Sequence, residues 1–289
     1  MQAPFDQRLR EQEANMRNMS SLVSVLLFAL GYAILELSVR LFVQDQLALD
    51  FVAWSFAGGI LVALLLAWML PKTELRRLDL IAVVWLVLFI VARFNNVLEG
   101  YFFTSVFASV SVFVSEVFLS LLTTLVQAIM AGVLFIAEVP SRSLISDLPS
   151  YVEERKFVSW AWRIVAASIV YFPVYFIFGA LISPFVVPYY TNPSSGLKIP
   201  SFTVIIPLEL LRGFLYVISL LSLFATIRGS KKTVFAAIAS VLYVPGALVP
   251  LMVPHSLPAE ILPFHLVEIL ADSIVYGALI TWLLSRKSS

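Results

Sequence analysis

Eight long runs of mostly apolar residues constrain this chain more than any other feature of its sequence. Each reaches the roughly 20 residues that an α-helix needs to cross a lipid bilayer. The runs cover residues 21–41, 51–70, 80–103, 105–137, 157–187, 202–227, 234–253 and 262–284. Because lipid offers the backbone no hydrogen-bonding partners, only helices or a closed barrel can cross it, and continuous apolar runs favour helices. We therefore predict an all-α fold, a polytopic integral membrane bundle of about eight transmembrane helices.

Composition agrees with this class and excludes several functions. Only 13% of the residues are charged and the mean hydropathy is +0.96, whereas soluble domains carry about 25% charged residues. A net charge of +1 leaves no basic surface for nucleic acid, and the chain has neither of the glycine-rich motifs that bind nucleotides. The absence of cysteine excludes disulfides, thiolate metal sites and a thiol nucleophile. We expect the bilayer and a small solute or lipid as partners, with no cofactor, nucleotide or nucleic acid.

The distribution of basic residues indicates the orientation of the bundle. With eight spans, fourteen of the nineteen lysines and arginines fall on one side, and the opposite connections hold only Arg40 and Lys198. The positive-inside rule then predicts that both termini are cytoplasmic, and we expect the cytoplasmic membrane of a prokaryote. The predicted division is a cytoplasmic segment 1–20, a single transmembrane domain 21–284 and a cytoplasmic tail 285–289.

The fourth and fifth runs are longer than one crossing requires. A straight helix of about 33 residues would be roughly 50 Å long, against a hydrocarbon layer of roughly 30 Å. We expect these runs to tilt, project from the membrane or break, with Pro173 and Pro184 as kink or stop points in the fifth. Pro245 and Gly246 in the seventh run indicate a bend or close packing.

Polar and ionisable residues inside the runs predict the place of a functional site. They lie in the first, third, sixth and eighth spans and, given the orientation, in the outer half of the membrane. These candidates are Glu36, Arg93, Asn95, Asn96, Glu99, Glu209, Arg212, His265, Glu268 and Asp272. Spacings of three or four residues put neighbouring members on one helix face. Because a charge in the bilayer core costs a few kcal/mol, such groups should face one another. We predict that the four helices share one site.

Three functions are compatible with these residues. In a secondary transporter or permease-like protein, Arg93 and Arg212 would attract a small anionic solute. The side chains of Glu99, Glu209, Glu268 and His265 would exchange protons or hydrogen-bond it. In a membrane-embedded hydrolase acting on a lipid or peptide, His265, Glu268 and Glu99 would supply acid–base catalysis. In a structural or sensory subunit, the ion pairs would only hold helices together.

No metal site is expected among these groups. Only one histidine lies inside a span, no H-E-x-x-H motif occurs, and the two arginines Arg93 and Arg212 would repel a cation.

Overall fold

The computed structural model describes residues 3–43, 49–107, 109–137, 139–254 and 256–286, with the backbone alone for 3–20 and 42–43. Eight helical spans are long and apolar enough to cross a membrane, and the described residues contain no strand. The spans are Ser21–Leu41, Leu49–Thr73, Arg77–Phe103, Val110–Leu134, Phe157–Tyr190, Phe202–Thr226, Lys231–Leu251 and Leu262–Leu284. The predicted all-α membrane bundle is confirmed.

The first span belongs to a longer helix, Ala3–Val43. The predicted boundary at residue 20 therefore lies inside a continuous helix, and the division of the chain into segments stays a prediction. The last three residues of the predicted tail, 287–289, lie outside the described residues.

Successive spans run in opposite directions, so the bundle has two faces. One face, called here the terminal face, contains the connections before the third, fifth and seventh spans. These connections touch: the Arg76 amide donates to the Arg142 carbonyl (2.9 Å) and the Arg228 amide to the Lys72 carbonyl (3.0 Å). The opposite side of the bundle is called the far face. The structure thus gathers on one face the basic connections that the orientation argument assigned to one side.

The fourth apolar run, 105–137, is only partly helical. Its helix begins at Val110, where the Ser109 hydroxyl accepts a hydrogen bond from the first turn. The described residues 104–107 before it are not helical, and Thr104 forms an antiparallel bridge with Leu197 in the connection before the sixth span. The helix is therefore 25 residues long, which fits one crossing with some tilt.

The fifth run forms one uninterrupted helix, Phe157–Tyr190, of 34 residues. Pro173, Pro184 and Pro188 lie inside it, and none of them ends it. At about 1.5 Å per residue the helix is about 51 Å long, so it is the longest described span and reaches the far face with its last turns.

Two spans change helix type inside the membrane. In the third span a π-helical segment, Leu88–Phe94, separates two α-helices, and in the seventh span Val244–Leu248 is also π-helical. The segments contact each other, because the Asn96 side-chain amide donates to the carbonyls of Ala92 (3.0 Å) and Gly246 (2.8 Å). A π turn leaves some carbonyls without their usual partners, and the asparagine satisfies two of them.

Side chains from the terminal face cover the end of the eighth span. A helix end leaves carbonyls without intrahelical donors. Here the Tyr151 hydroxyl donates to the Leu284 carbonyl (2.5 Å), and the Arg155 guanidinium donates to the Ser285 carbonyl. Burial raises the pKa of Tyr151 above its ordinary range and lowers that of Arg155. The phenol therefore stays a donor at neutral pH.

The end of the sixth span is covered in the same way. Arg286 donates to the Ala225 carbonyl (2.9 Å), and Arg142 donates to the Thr226 carbonyl (3.3 Å). Arg142 also pairs with Asp147 on the short helix Leu144–Glu153. Cations at helix C-termini are stabilising because they complement the helix dipole.

Candidate functional site

A cavity of about 380 Å³ lies in the far half of the bundle, between the third, fifth, sixth, seventh and eighth spans. One wall is polar and the remainder is apolar and aromatic. The polar wall carries Asn96, Glu99, Arg212, His265, Glu268 and Asp272. The structure therefore brings six of the ten candidate residues to one cavity.

Arg212 joins two spans at this wall. Its Nη1 donates to both carboxylate oxygens of Glu209 (3.0 and 2.9 Å), one turn earlier on the same helix, and its Nη2 donates to Glu99 on the third span (2.7 Å). Glu209 is fully buried behind Arg212, whereas the Glu99 side chain is 36% exposed. The guanidinium is therefore neutralised from two directions before any solute arrives.

His265 lies in the first turn of the eighth span, just after Pro263, a residue that is well tolerated at a helix start. Its Nδ1 is 2.9 Å from Glu268 Oε2, and its Nε2 is 3.4 Å from the Tyr190 hydroxyl. A carboxylate at this distance orients the imidazole ring. The spacing of three residues thus produces the histidine–carboxylate pair that the sequence suggested.

Asp272 is on the same helix face, one turn after Glu268. It is only 7% exposed and lines the cavity. Its buried Oδ1 has no hydrogen-bond partner among the described residues. A buried carboxylate oxygen without a partner is unusual, because removal from water is costly unless a hydrogen bond or a counter-charge compensates.

The fifth span contributes a wall that the sequence reasoning missed. Tyr171, Tyr175 and Gly179, spaced by four residues, all line the cavity. The Arg212 guanidinium lies over the rings of Tyr171 (5.7 Å) and Tyr175 (5.9 Å). Two tyrosines on one face within an uncharged run were a usable signal, but they resemble ordinary membrane aromatics when read without a partner helix.

Three tyrosines close the cavity toward the terminal face. They are the lining residues nearest to that face on the fifth, sixth and eighth spans. Tyr171 packs edge-on against Tyr216 (centroids 5.1 Å apart) and Tyr276 (5.0 Å). The Tyr276 hydroxyl donates to the Ala167 carbonyl (3.2 Å), so this end is held by packing and hydrogen bonding.

The exposed lining residues of the cavity lie on the fifth span, in the connection after it and at the start of the sixth span, and we infer that the cavity opens on this side. Phe176 and Phe202 line the cavity there and are also 44% and 60% exposed on the outside of the bundle. Their ring centroids are 6.0 Å apart. Because these exposed lining residues are apolar, the opening meets the surrounding lipid with an apolar rim.

Glu36 and Arg93 do not reach this cavity. They form an ion pair with each other, and Gln127 of the fourth span donates to the same Glu36 carboxylate (3.2 Å). The pair lines a separate cavity of about 40 Å³. The first span, which was expected to contribute to the shared site, does not line this cavity, whereas the fifth span does. The reason lies in the third span: the π segment ends at Phe94, so the spacing from Arg93 to Asn96 crosses a change in helix geometry.

Asn95 and Asn96 differ in role although they are adjacent. Asn95 is fully buried and its amide donates to the Ile90 carbonyl of the π segment (3.0 Å). It does not line the cavity. Asn96 lines the cavity and joins the third span to the seventh.

The described residues contain no group of three or more histidine, aspartate or glutamate side chains arranged to hold a metal ion. No family model matches the chain, and comparisons with curated proteins and with solved structures found no match.

Proposed function

We propose that the protein is a secondary transporter for a small amphipathic solute, which binds in the far-half cavity. Its polar end would contact the wall of carboxylates, and its apolar part would lie against the aromatic wall. A volume of about 380 Å³ is within the range of small-molecule sites. We further propose a cytoplasmic membrane of a prokaryote, with the termini inside.

The observation that carries the proposal is the pair of interrupted helices beside the cavity. Transporters commonly place substrate sites where helices are discontinuous near the middle of the membrane. Here the π segments of the third and seventh spans contact each other, and Gly246 and Asn96 belong both to that contact and to the cavity wall. A π turn holds a surplus residue relative to an α-helix, and such turns are frequent at functional sites. These segments therefore supply a joint at which the cavity could change shape.

Proton exchange is the proposed coupling. The His265–Glu268 pair and Asp272 line the cavity, and imidazole and carboxyl groups can bind and release protons. The other titratable or charged groups lining the cavity come from the third, fifth, sixth and eighth spans, and are Glu99, Tyr171, Tyr175, Tyr190, Arg212, Tyr216 and Tyr276. Movement of a proton onto Glu268 or Asp272 would change the balance of charge that the solute meets.

The test is a flux assay in proteoliposomes that contain a pH-sensitive dye. A panel of cationic, neutral and anionic amphiphiles is added, and we expect at least one to produce a proton flux that protein-free liposomes lack. Glu268→Gln should abolish the flux. Glu116→Gln, which removes a carboxylate from the fourth span away from the cavity, is the matched control and should leave it intact. If no solute moves protons, or Glu268→Gln behaves as wild type, the proposal is wrong.

A membrane-embedded enzyme is the second candidate, and one observation favours it. The His265–Glu268 pair, at 2.9 Å, has the geometry of an acid–base pair, and the cavity opens with an apolar rim toward lipid-borne substrates. Mass spectrometry of the amphiphiles after incubation with the protein separates the two functions. A transporter returns every compound unchanged, whereas an enzyme yields a product whose formation requires Glu268.

A further inference from the structure

We infer that the solute is a monovalent organic cation, an amine or quaternary ammonium with an apolar part, and that Asp272 binds its positive charge. The inference rests on the proposed function for its account of transport, but the binding it describes can be measured separately. It replaces the anionic solute that the two arginines suggested.

The first argument is the balance of charge at the cavity. Arg93 is absent from the wall, since it pairs with Glu36 elsewhere. Arg212 is present but already bonded to Glu99 and Glu209 at 2.7 to 3.0 Å. Both terminal nitrogens of Arg212 are therefore already bonded to carboxylates, and its Nε, which has no hydrogen-bond partner among the described residues, is buried.

The second argument is the surplus of carboxylates. Glu268 is paired with His265, so a protonated imidazole can neutralise one further negative charge. Asp272 remains. Its Oδ1 is buried without a hydrogen-bond partner among the described residues, while the residue lines the cavity. Burial without compensation is costly for a carboxylate, and a cationic solute in the cavity would supply this carboxylate with a counter-charge.

The third argument is the nature of the walls. The rings of Tyr171 and Tyr175 already face the Arg212 guanidinium at 5.7 and 5.9 Å. Tyr216, Tyr276 and Phe176 add further rings to the lining. Aromatic faces attract cations, and aromatic surroundings are the usual way in which proteins recognise quaternary ammonium groups. The faces of these rings carry partial negative charge and do not attract an anion.

An organic cation fits better than an inorganic one. A divalent ion requires several oxygen or nitrogen ligands converging at about 2.0 to 2.6 Å. The part of the chain that the structure describes has no such group of three side chains. The cavity combines one uncompensated carboxylate with extensive apolar surface, which matches a single positive charge on an apolar body.

The experiment measures equilibrium binding to the purified full-length protein in lipid nanodiscs. The probes are radiolabelled benzyltrimethylammonium and the similarly sized anion phenylmethanesulfonate. We expect saturable binding of the cation at least about tenfold tighter than that of the anion, since one ion pair at a partly dehydrated site is worth a factor of this order. Asp272→Asn should weaken cation binding by about tenfold or more, whereas Glu116→Gln should not change it.

A second variant distinguishes the loss of the negative charge from misfolding of the protein. Asp272→Glu keeps the charge and should retain most of the cation binding, with the same elution volume as wild type in size-exclusion chromatography. Equal or tighter binding of the anion, no saturable binding of either probe, or wild-type cation binding by Asp272→Asn would each overturn the inference. Cation binding without any flux would instead reject the transporter and leave the inference standing. Flux restricted to anions would reject the inference and leave the transporter proposal standing.

Discussion

Arg212 is the residue on which the polar wall depends. It is 3% exposed, and its partner Glu209 is completely buried. Loss of the guanidinium would leave Glu209 without a counter-charge in a region that water does not reach. Breaking a buried ion pair from one side costs about 3–5 kcal/mol, because the remaining charge is uncompensated, whereas removing both partners costs much less.

We predict that Arg212→Gln lowers the free energy of unfolding by about 3–5 kcal/mol, and that Glu209→Gln combined with Arg212→Gln loses less than the sum of the two single variants. Unfolding is followed by titration with a denaturing detergent in mixed micelles. Glu99→Gln is the comparison, and its loss should be smaller because that side chain is 36% exposed. Additive losses in the double variant would show that the pair is not coupled.

For individual residues, the sequence identified the ionisable side chains of the site more reliably than it identified the residues they contact. Charges within apolar runs had to be paired, and Glu99, Arg212 and the His265–Glu268 pair lie as that rule predicts. Arg93 was assigned to the wrong neighbours because its position assumed a regular α-helix through the third span. Tyr171 and Tyr175 were missed because an aromatic residue in a membrane helix has no diagnostic spacing until the opposite helix is known.

Among the elements, the fifth and sixth spans pack most closely at Gly213. A methyl group added there would collide with the Ser168 carbonyl oxygen and lie 2.8 Å from the Tyr171 Cβ. Both neighbours are fixed to the backbone of the fifth span, so a side chain could be accommodated only by separating the helices. Small residues permit such close approach between membrane helices.

We predict that Gly213→Ala lowers the free energy of unfolding by about 1–3 kcal/mol, the usual cost of overpacking, and weakens solute binding because Tyr171 lines the cavity. Gly132→Ala is the matched control. Its added methyl would collide with side-chain atoms of Ile81, which can turn aside, while the Arg77 carbonyl oxygen lies at an ordinary contact distance of 3.6 Å. We therefore expect a loss below about 1 kcal/mol. Stability and binding are measured as above, and equal effects of the two substitutions would contradict the packing argument.

The spans themselves were predictable because about 20 apolar residues suffice to define a crossing. The length of an apolar run does not predict the π segments within a span. Pro245 and Gly246 indicated a bend or close packing in the seventh span, and the structure has a π-helical segment there. In contrast, Leu88–Phe94 contains neither proline nor glycine, so local residue preferences did not predict its π geometry.

For the whole molecule, the sidedness of the bundle in the membrane is a prediction that the chain makes easy to test. The wild-type sequence has no cysteine. Labelling of a single introduced cysteine therefore reports on which side of the membrane that residue lies. Ser141 is exposed on the terminal face, and Ser194 is exposed in the connection between the fifth and sixth spans on the far face.

We expect a membrane-impermeant maleimide to label Ser194→Cys on intact cells, and to label Ser141→Cys only after the membrane is permeabilised. The reason is the concentration of lysine and arginine on the terminal face, which the positive-inside rule assigns to the cytoplasm. Labelling of Ser141→Cys alone on intact cells would show that the orientation is opposite to the predicted one.

The great length of the fifth span has a consequence for how this protein would respond to its surroundings. A helix of about 51 Å cannot lie upright in the hydrocarbon layer, and it adjusts its inclination as lipid acyl chains shorten or lengthen. The same helix carries Phe176, which meets Phe202 of its neighbour at the opening. The acyl-chain length of the surrounding lipid would thereby set the width of the opening. A change in the lipid composition of the membrane could then regulate access to the cavity without any ligand bound in it.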